Sequence, residues 1–202
     1  MESITVKPGH LSLDDLKLMH LAPCKIKLDP ACKDLVDKAT NVVNQVIKDE
    51  LVVYGINTGF GLLANTKIDA SELEVLQRSI VLSHAAGIGK FMEASTVRLL
   101  ILLKVNALAR GNSGIRYELI EALIVLVNKE IYPCIPIKGS VGASGDLAPL
   151  AHMSAILLGE GEATFRGELI SAEEALNIAG LKPITLAPKE GLALLNGTQA
   201  ST

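Results

Sequence analysis

Apolar residues recur along this chain at helical spacing far more often than at strand spacing. Leu35, Val36, Ala39, Val42, Val43, Val46 and Ile47 form one sustained stripe, which predicts an amphipathic helix burying all seven. Asp29-Pro30 ahead of it reads as a cap followed by a proline in the first turn. Ser12 reads as an N-cap, with Asp14 and Asp15 in the first turn of a shorter helix. Ser71 and Glu74 have capping-box spacing and open a helix carrying Leu73, Leu76, Ile80 and His84. At ~100° per residue, the eleven steps from Leu73 return His84 to nearly the same face. That helix ends at Ala85-Ala86-Gly87. Two more helices, near 95–110 and 116–129, are apolar almost all round, so they must be buried. Ser171 and Glu174 open another, which Gly180 closes.

Strand signals are few. Ile4 to Val6 alternate and stop at Pro8-Gly9. Residues 163–170 read as a small hairpin turning near Gly167, and Tyr132 to Pro136 as a stiff extended run. The pattern predicts a mainly α fold with a few short strands.

Two glycine-rich stretches interrupt this periodicity. The first runs from Leu51 through Tyr54-Gly-Ile-Asn-Thr-Gly-Phe-Gly61, with three glycines in seven residues. On its residues alone it is a hairpin or surface loop in which Tyr54 packs. The second is Gly139-Ser-Val-Gly-Ala-Ser-Gly-Asp-Leu-Ala-Pro-Leu-Ala-His152. Here a loop turns into a helix, with Asp146 expected in the first turn, where acidic side chains suit the unpaired amides. Pro149 is tolerated there too. Ala143-Ser144-Gly145 has a chemical reading. Gly145 has no side chain, so its nitrogen can approach the Ala143 carbonyl carbon. Attack would close a five-membered ring, and loss of water with the Ser144 hydroxyl would leave a methylidene group conjugated to the ring carbonyl. That is an electrophile built from backbone. Two other readings stay open: a plain glycine-rich turn, and a phosphate cradle. Against the cradle, Lys138 precedes the glycines and Gly-Lys-Ser/Thr is absent.

Composition narrows the picture. The 202 residues are long enough for a domain with a sizeable core, 49% apolar but only 3% aromatic. The core is therefore aliphatic. A net charge of −3 makes no electrostatic case for nucleic acid. Cys24, Cys32 and Cys134 are odd in number and lack Cys-x-x-Cys spacing, which argues against a disulfide framework or a metal site and for a cytoplasmic setting. The polar first residues predict no secretory leader. The most apolar helix is interrupted by Arg98, Lys104 and Asn106 and is short for a membrane span.

The 139–152 string resembles the signature of the aromatic amino-acid ammonia-lyases, in which Ala-Ser-Gly cyclises to 4-methylidene-imidazol-5-one. Three further motifs are similar to the same family. The loop around Tyr54 resembles its mobile loop, whose tyrosine is the candidate base, and flanking glycines would let such a loop close over a site. Ser83-His84 resembles the pair found in members that take histidine. Leu194-Leu195-Asn196-Gly197-Thr198 resembles the motif whose Asn meets the electrophile and the substrate amine. The resemblance implies the N-terminal domain of the L-aspartase-like (fumarase/histidase) helical fold across residues 1–202, with a C-terminal helical-bundle domain absent from this chain. It implies deamination of L-histidine to trans-urocanate and ammonia, the first step of histidine catabolism. It also implies no external cofactor, no metal, and neither nucleic acid nor membrane as a partner. Homotetramers with shared sites are implied, so the isolated chain should expose apolar surface. The roles it implies are an electrophile from Ala143, Ser144 and Gly145, a base at Tyr54, substrate contacts from His84 and Asn196, and support from Asp146. Taken alone, a histidine closing an apolar stripe is more often structural, and Asn196-Gly197 can be only a turn. Two alternatives remain: a phenylalanine or tyrosine lyase or aminomutase, and a helical interaction domain without catalysis.

Overall fold

The computed structural model describes residues 3–60, 64 and 66–202; Gly61 of the first glycine-rich stretch lies outside the described residues. Two helices form the centre, α4 (Ala94–Leu108) and α5 (Tyr117–Asn128). Their aliphatic side chains account for the choice. Leu100, Ile101, Leu102, Val105, Leu119, Ile120, Leu123 and Leu126 are all buried, each worth about 1.5–3 kcal/mol relative to exposure. The expectation that these helices need burial is thus met inside this chain.

Around them the order is β1 (Ser3–Val6), α1 (Leu13–Leu21), β2 (Lys25–Leu28), α2 (Cys32–Lys48), α3 (Leu73–His84) and β3 (Ile88–Phe91) before α4. After α5 come β4 (Ile131–Pro133), β5 (Pro136–Lys138), α6 (Leu147–Ala155), β6 (Glu162–Phe165), β7 (Glu168–Ser171), α7 (Ala172–Ala179) and α8 (Glu190–Leu195). β1 and β2 pair in parallel, with Ile4 opposite Ile26. β3 and β5 form an antiparallel ribbon that feeds the second glycine-rich stretch. β4, β6 and β7 make an antiparallel sheet in that order. The expected hairpin is β6–β7, turning at Arg166-Gly167. The architecture is mainly helical with short strands, as the periodicity predicts.

The polar interruptions of α4 have structural work. Arg98, 6% exposed, donates from Nε to the Met19 carbonyl and from Nη2 to the His20 carbonyl, both at 2.9 Å. It thereby satisfies acceptors that the last turn of α1 leaves open. Asn106 accepts the Gly9 amide at 3.1 Å and fixes the turn after β1.

Several local expectations are corrected. α2 begins at Cys32 rather than beside Pro30, although Asp29 Oδ1 still accepts the Ala31 amide at 2.9 Å. Only Val36 and Val43 of its stripe are buried, because one face of α2 packs on α5; Leu35 and Val42 are exposed. Ser71 and Glu74 make no capping box. Residues 70–72 wind as a 3₁₀ turn and α3 starts uncapped behind Glu72. Ser12 does form a reciprocal capping box with Asp15. Ser171 caps α7 through the Glu174 amide. None of the three cysteines is in a disulfide, and among the described residues no helix is long and apolar enough to cross a membrane.

One buried ion pair locks the end of the chain to the core. Glu190, 1% exposed, accepts from the Arg116 amide at 3.0 Å, from Arg116 Nε and Nη2 at 2.8 Å, and from the Ala187 amide at 2.6 Å. Glu190→Ala strips four donors of their acceptor. We expect a loss of about 3 kcal/mol in urea unfolding, the low end for a broken buried pair because Arg116 is partly solvated. Glu118→Ala, at the exposed arm of the same arginine, should cost about 0–0.5 kcal/mol.

Candidate active site

Helices α3, α6 and α8 pack against one another, and their ends converge. The approach of α8 to α3 depends on Gly191. A Cβ there would stand 2.7 Å from the Gln77 carbonyl oxygen. In its absence the Gly191 amide donates to Gln77 Oε1 at 2.9 Å. This brings His84, the last residue of α3, beside Asn196, the C-cap of α8. Ser144 lies on the loop just ahead of α6. The Tyr54 loop closes the same space. Buried Asn57 organises it, with its side-chain amide donating to the Leu51 carbonyl at 2.7 Å and its oxygen accepting the Val53 amide at 2.9 Å.

The result is a cavity of about 180 Å³ lined by Tyr54, Phe60, Ile80, His84, Ser144, Leu147, Leu192, Leu195 and Asn196. Four of the residues singled out in the sequence, separated by up to 142 positions (196 minus 54), thus line one cavity. Tyr54 is 60% exposed and meets Phe60 edge-on, with ring centroids 5.9 Å apart. Ser83 does not line the cavity. Its hydroxyl turns back to the Ile80 carbonyl at 3.3 Å.

His84 Nδ1 lies 2.7 Å from the Ile80 carbonyl oxygen. A carbonyl only accepts, so Nδ1 carries the proton. In the neutral ring Nε2 is then an acceptor.

The Ala143-Ser144-Gly145 backbone is held in an uncommon shape. Ser144 adopts φ +67° and Gly145 φ +112°, and the first is a strained value for a residue with a Cβ. Gly145 is required twice over. Besides its φ, a Cβ would stand 2.5 Å from the Gly197 carbonyl oxygen. Asn196 Nδ2 donates to the Ser144 carbonyl at 2.6 Å. A small triplet, a cradle that a side chain would fill, and a donor on the central carbonyl all fit a ring made from these three residues.

Asp146 corrects the sequence expectation. It is the N-cap of α6, yet its side chain makes no capping bond. The carboxylate is 1% exposed and faces the end of the chain. Oδ2 accepts from the Ala200 and Ser201 amides at 2.9 and 2.7 Å, and Oδ1 accepts from Ser140 Oγ at 2.7 Å. Ser201 Oγ reaches both oxygens. The Asp146 amide in turn donates to the Gly197 carbonyl at 2.7 Å. Burial works to raise its pKa, but the bonds from Ser140, Ser201 and Ala200 outweigh that and hold the carboxyl below the usual range.

Sequence reasoning missed the partners of Asp146 and the walls supplied by Leu147, Leu192 and Leu195. It also missed Lys104, whose Nζ donates to the Asn196 carbonyl at 2.9 Å. The available signal was a lysine inside an otherwise apolar helix.

Residues 11–202 match the family model for aromatic amino acid lyase. The chain belongs to the aromatic amino acid lyase family. It is similar to histidine ammonia-lyase of Vibrio parahaemolyticus, at 64% identity over all of this chain and 40% of the relative. Its fold matches ergothionase from Treponema denticola, with TM-score 0.94 and 28% identity over 98% of this chain and 40% of the other. It also matches histidine ammonia-lyase from Trypanosoma cruzi, with TM-score 0.90 and 35% identity over 99% and 39%. The chain spans about 40% of the length of the curated relatives it matches.

A carboxyl held below its unfolded value stabilises the fold in full above that value, near pH ~4. The contribution is lost as pH falls through the lower folded-state value. We therefore expect stability to decline below pH ~4, and Asp146→Asn to flatten that decline while costing about 1–3 kcal/mol at neutral pH. Denaturant midpoints measured across pH for both proteins check this.

Proposed function

We propose that this chain is the amino-terminal part of a histidine ammonia-lyase, which converts L-histidine to trans-urocanate and ammonia. One observation carries the reading: a single cavity takes Tyr54, His84, Ser144 and Asn196 from four distant stretches. The 64% identity to a histidine ammonia-lyase along the whole chain supports the same choice. Residues 1–202 would hold the domain that makes the electrophile. The remainder of the protein would supply a helical bundle and the rest of the pocket in a cytoplasmic homotetramer.

In this reading Ala143, Ser144 and Gly145 become 4-methylidene-imidazol-5-one, the group that aromatic amino acid lyases use. Once formed, its methylidene carbon supplies an electrophile that turns the substrate's amino nitrogen into a better leaving group. The protein's own residues do the rest. His84, with its proton fixed on Nδ1 by Ile80, offers Nε2 to a substrate ring N–H. Tyr54 takes the β-proton. To serve as a base it needs its anion stabilised by the site. Its exposure leaves room for the remainder of the protein to cover it and exclude water. Asn196 holds the Ser144 carbonyl with its amide, and Asp146 fastens the loop from behind.

Ser144→Ala removes the hydroxyl that must leave, so no methylidene carbon forms, while the helix start persists. In the full-length protein, histidine deamination followed as urocanate absorbance should fall by many orders of magnitude, ~10³ or more. Ser144→Cys should be milder. An alanine variant that keeps a tenth of the rate would return the loop to being a turn.

His84→Leu should leave folding intact but remove the acceptor for the substrate ring. Sites built to bond a ring nitrogen can reject analogues lacking it by ~10⁴ or more. Steady-state kinetics with histidine and with phenylalanine should show the preference collapse. Unchanged histidine kinetics would take His84 out of the site.

A further inference from the structure

Lys104 is the largest fully buried side chain of the described residues, at 1% exposure in the middle of α4. Burying an ammonium is costly, and methionine or leucine would fill the same space more cheaply. Among the described residues no carboxylate pairs with it. Its Nζ instead donates to one backbone acceptor, the Asn196 carbonyl, at 2.9 Å. That carbonyl lies at the C-terminal end of α8, where acceptors lack helical partners and carry negative partial charge. Burial lowers the lysine's pKa to about 7. Charged or neutral, the amine still has a proton to donate.

Asn196 is therefore gripped from two sides. The core holds its backbone oxygen through Lys104, and its side-chain Nδ2 holds the Ser144 carbonyl at 2.6 Å. The next residue is fixed too, since the Gly197 carbonyl accepts the Asp146 amide at 2.7 Å. Apart from the Asn196 amide, which donates to the Leu192 carbonyl of its own helix at 2.9 Å, the bonds on Asn196 and the Gly197 carbonyl named above tie them to the 144–146 loop or to Lys104. Lys104 is the one that comes from the core.

The geometry points to Lys104 as a positioning residue for formation of the electrophile: it sets Asn196 so that the Asn196 amide polarises the Ser144 carbonyl. This rests on the reading given under the proposed function. The chemistry that needs it balances as follows. The Gly145 nitrogen bonds to the Ala143 carbonyl carbon. The Ala143 oxygen leaves as water with the protons from the Gly145 and Ser144 nitrogens. The Ser144 hydroxyl then leaves with its Cα hydrogen as a second water, and nothing is oxidised or reduced. That Cα hydrogen is adjacent to the Ser144 carbonyl, so its loss places negative charge on the oxygen that Asn196 bonds. A donor fixed beforehand stabilises this charge.

The test is loss of the second water, read by intact mass and near-ultraviolet difference absorbance from the time of synthesis in cell-free translation of the full-length protein. In Lys104→Met we expect a folded protein, checked by circular dichroism and thermal unfolding, in which the second water leaves more slowly by about tenfold or more. Lys104→Arg, which keeps a donor, should recover most of the rate. In an Asn196→Ala background, Lys104→Met should add no further slowing. Lys104→Leu is read in the same way should the methionine variant not fold. Loss of both waters at the wild-type rate in the apolar variant overturns the inference, as does a fully additive loss in the Asn196→Ala background. Wild type that keeps both waters overturns the proposed function and this inference together. Wild type and variant losing them equally fast overturns this inference alone.

Discussion

A carboxylate almost wholly removed from water must be met by donors, and Asp146 is met by Ser140, Ala200 and Ser201. Those donors lie on both sides of it in sequence, up to 55 residues away. Satisfying one buried charge thus closes the loop before α6 on one side and the tail after α8 on the other. Within that closure the Asp146 amide meets the Gly197 carbonyl, so close to Gly145 that a Cβ there would clash with it. Apolar packing brings α3, α6 and α8 together, but it is directionless. The carboxylate and its hydrogen bonds give the junction a particular register.

The ends of three helices then do different jobs at one place. α3 delivers His84 with its tautomer set by its own helix carbonyl. α8 delivers the Asn196 amide. α6 begins where the strained Ser144 backbone ends. Strain of this kind persists only where the surroundings over-determine it. Here they do so through Asn196 on the Ser144 carbonyl and Gly197 against Gly145.

Much of this was legible in the sequence, for identifiable reasons. Period and caps located the helices, because burial of an aliphatic face is a one-dimensional signal. The Ala143–Gly145 triplet, Tyr54, His84 and Asn196 were legible through residue chemistry and family resemblance, and the fold brings all but Ala143 and Gly145 to the cavity lining. The failures are equally physical. Ser71 has capping-box spacing, yet a 3₁₀ turn intervenes before α3; Asp146 is expected in the first turn of α6, yet its carboxylate has better partners at Ser140, Ala200 and Ser201. Leu35 and Val42 were assigned to the core from periodicity, which says that a face is apolar but not what covers it. The grip of Lys104 on Asn196 spans 92 positions, and no local pattern encodes it.

The segment that satisfies Asp146 is made after it. A ribosome adding about 5–20 residues per second needs about 3–11 seconds to pass from Asp146 to Ser201. Through that interval the 143–145 backbone lacks Gly197 as its abutment, the Asn196 amide on its carbonyl, and Ala200 and Ser201 behind its anchor. Any reactivity that depends on this shape is therefore under the control of chain order. A backbone shape at 143–145 that depends on residues 196–201 can be completed only once that later segment has been added.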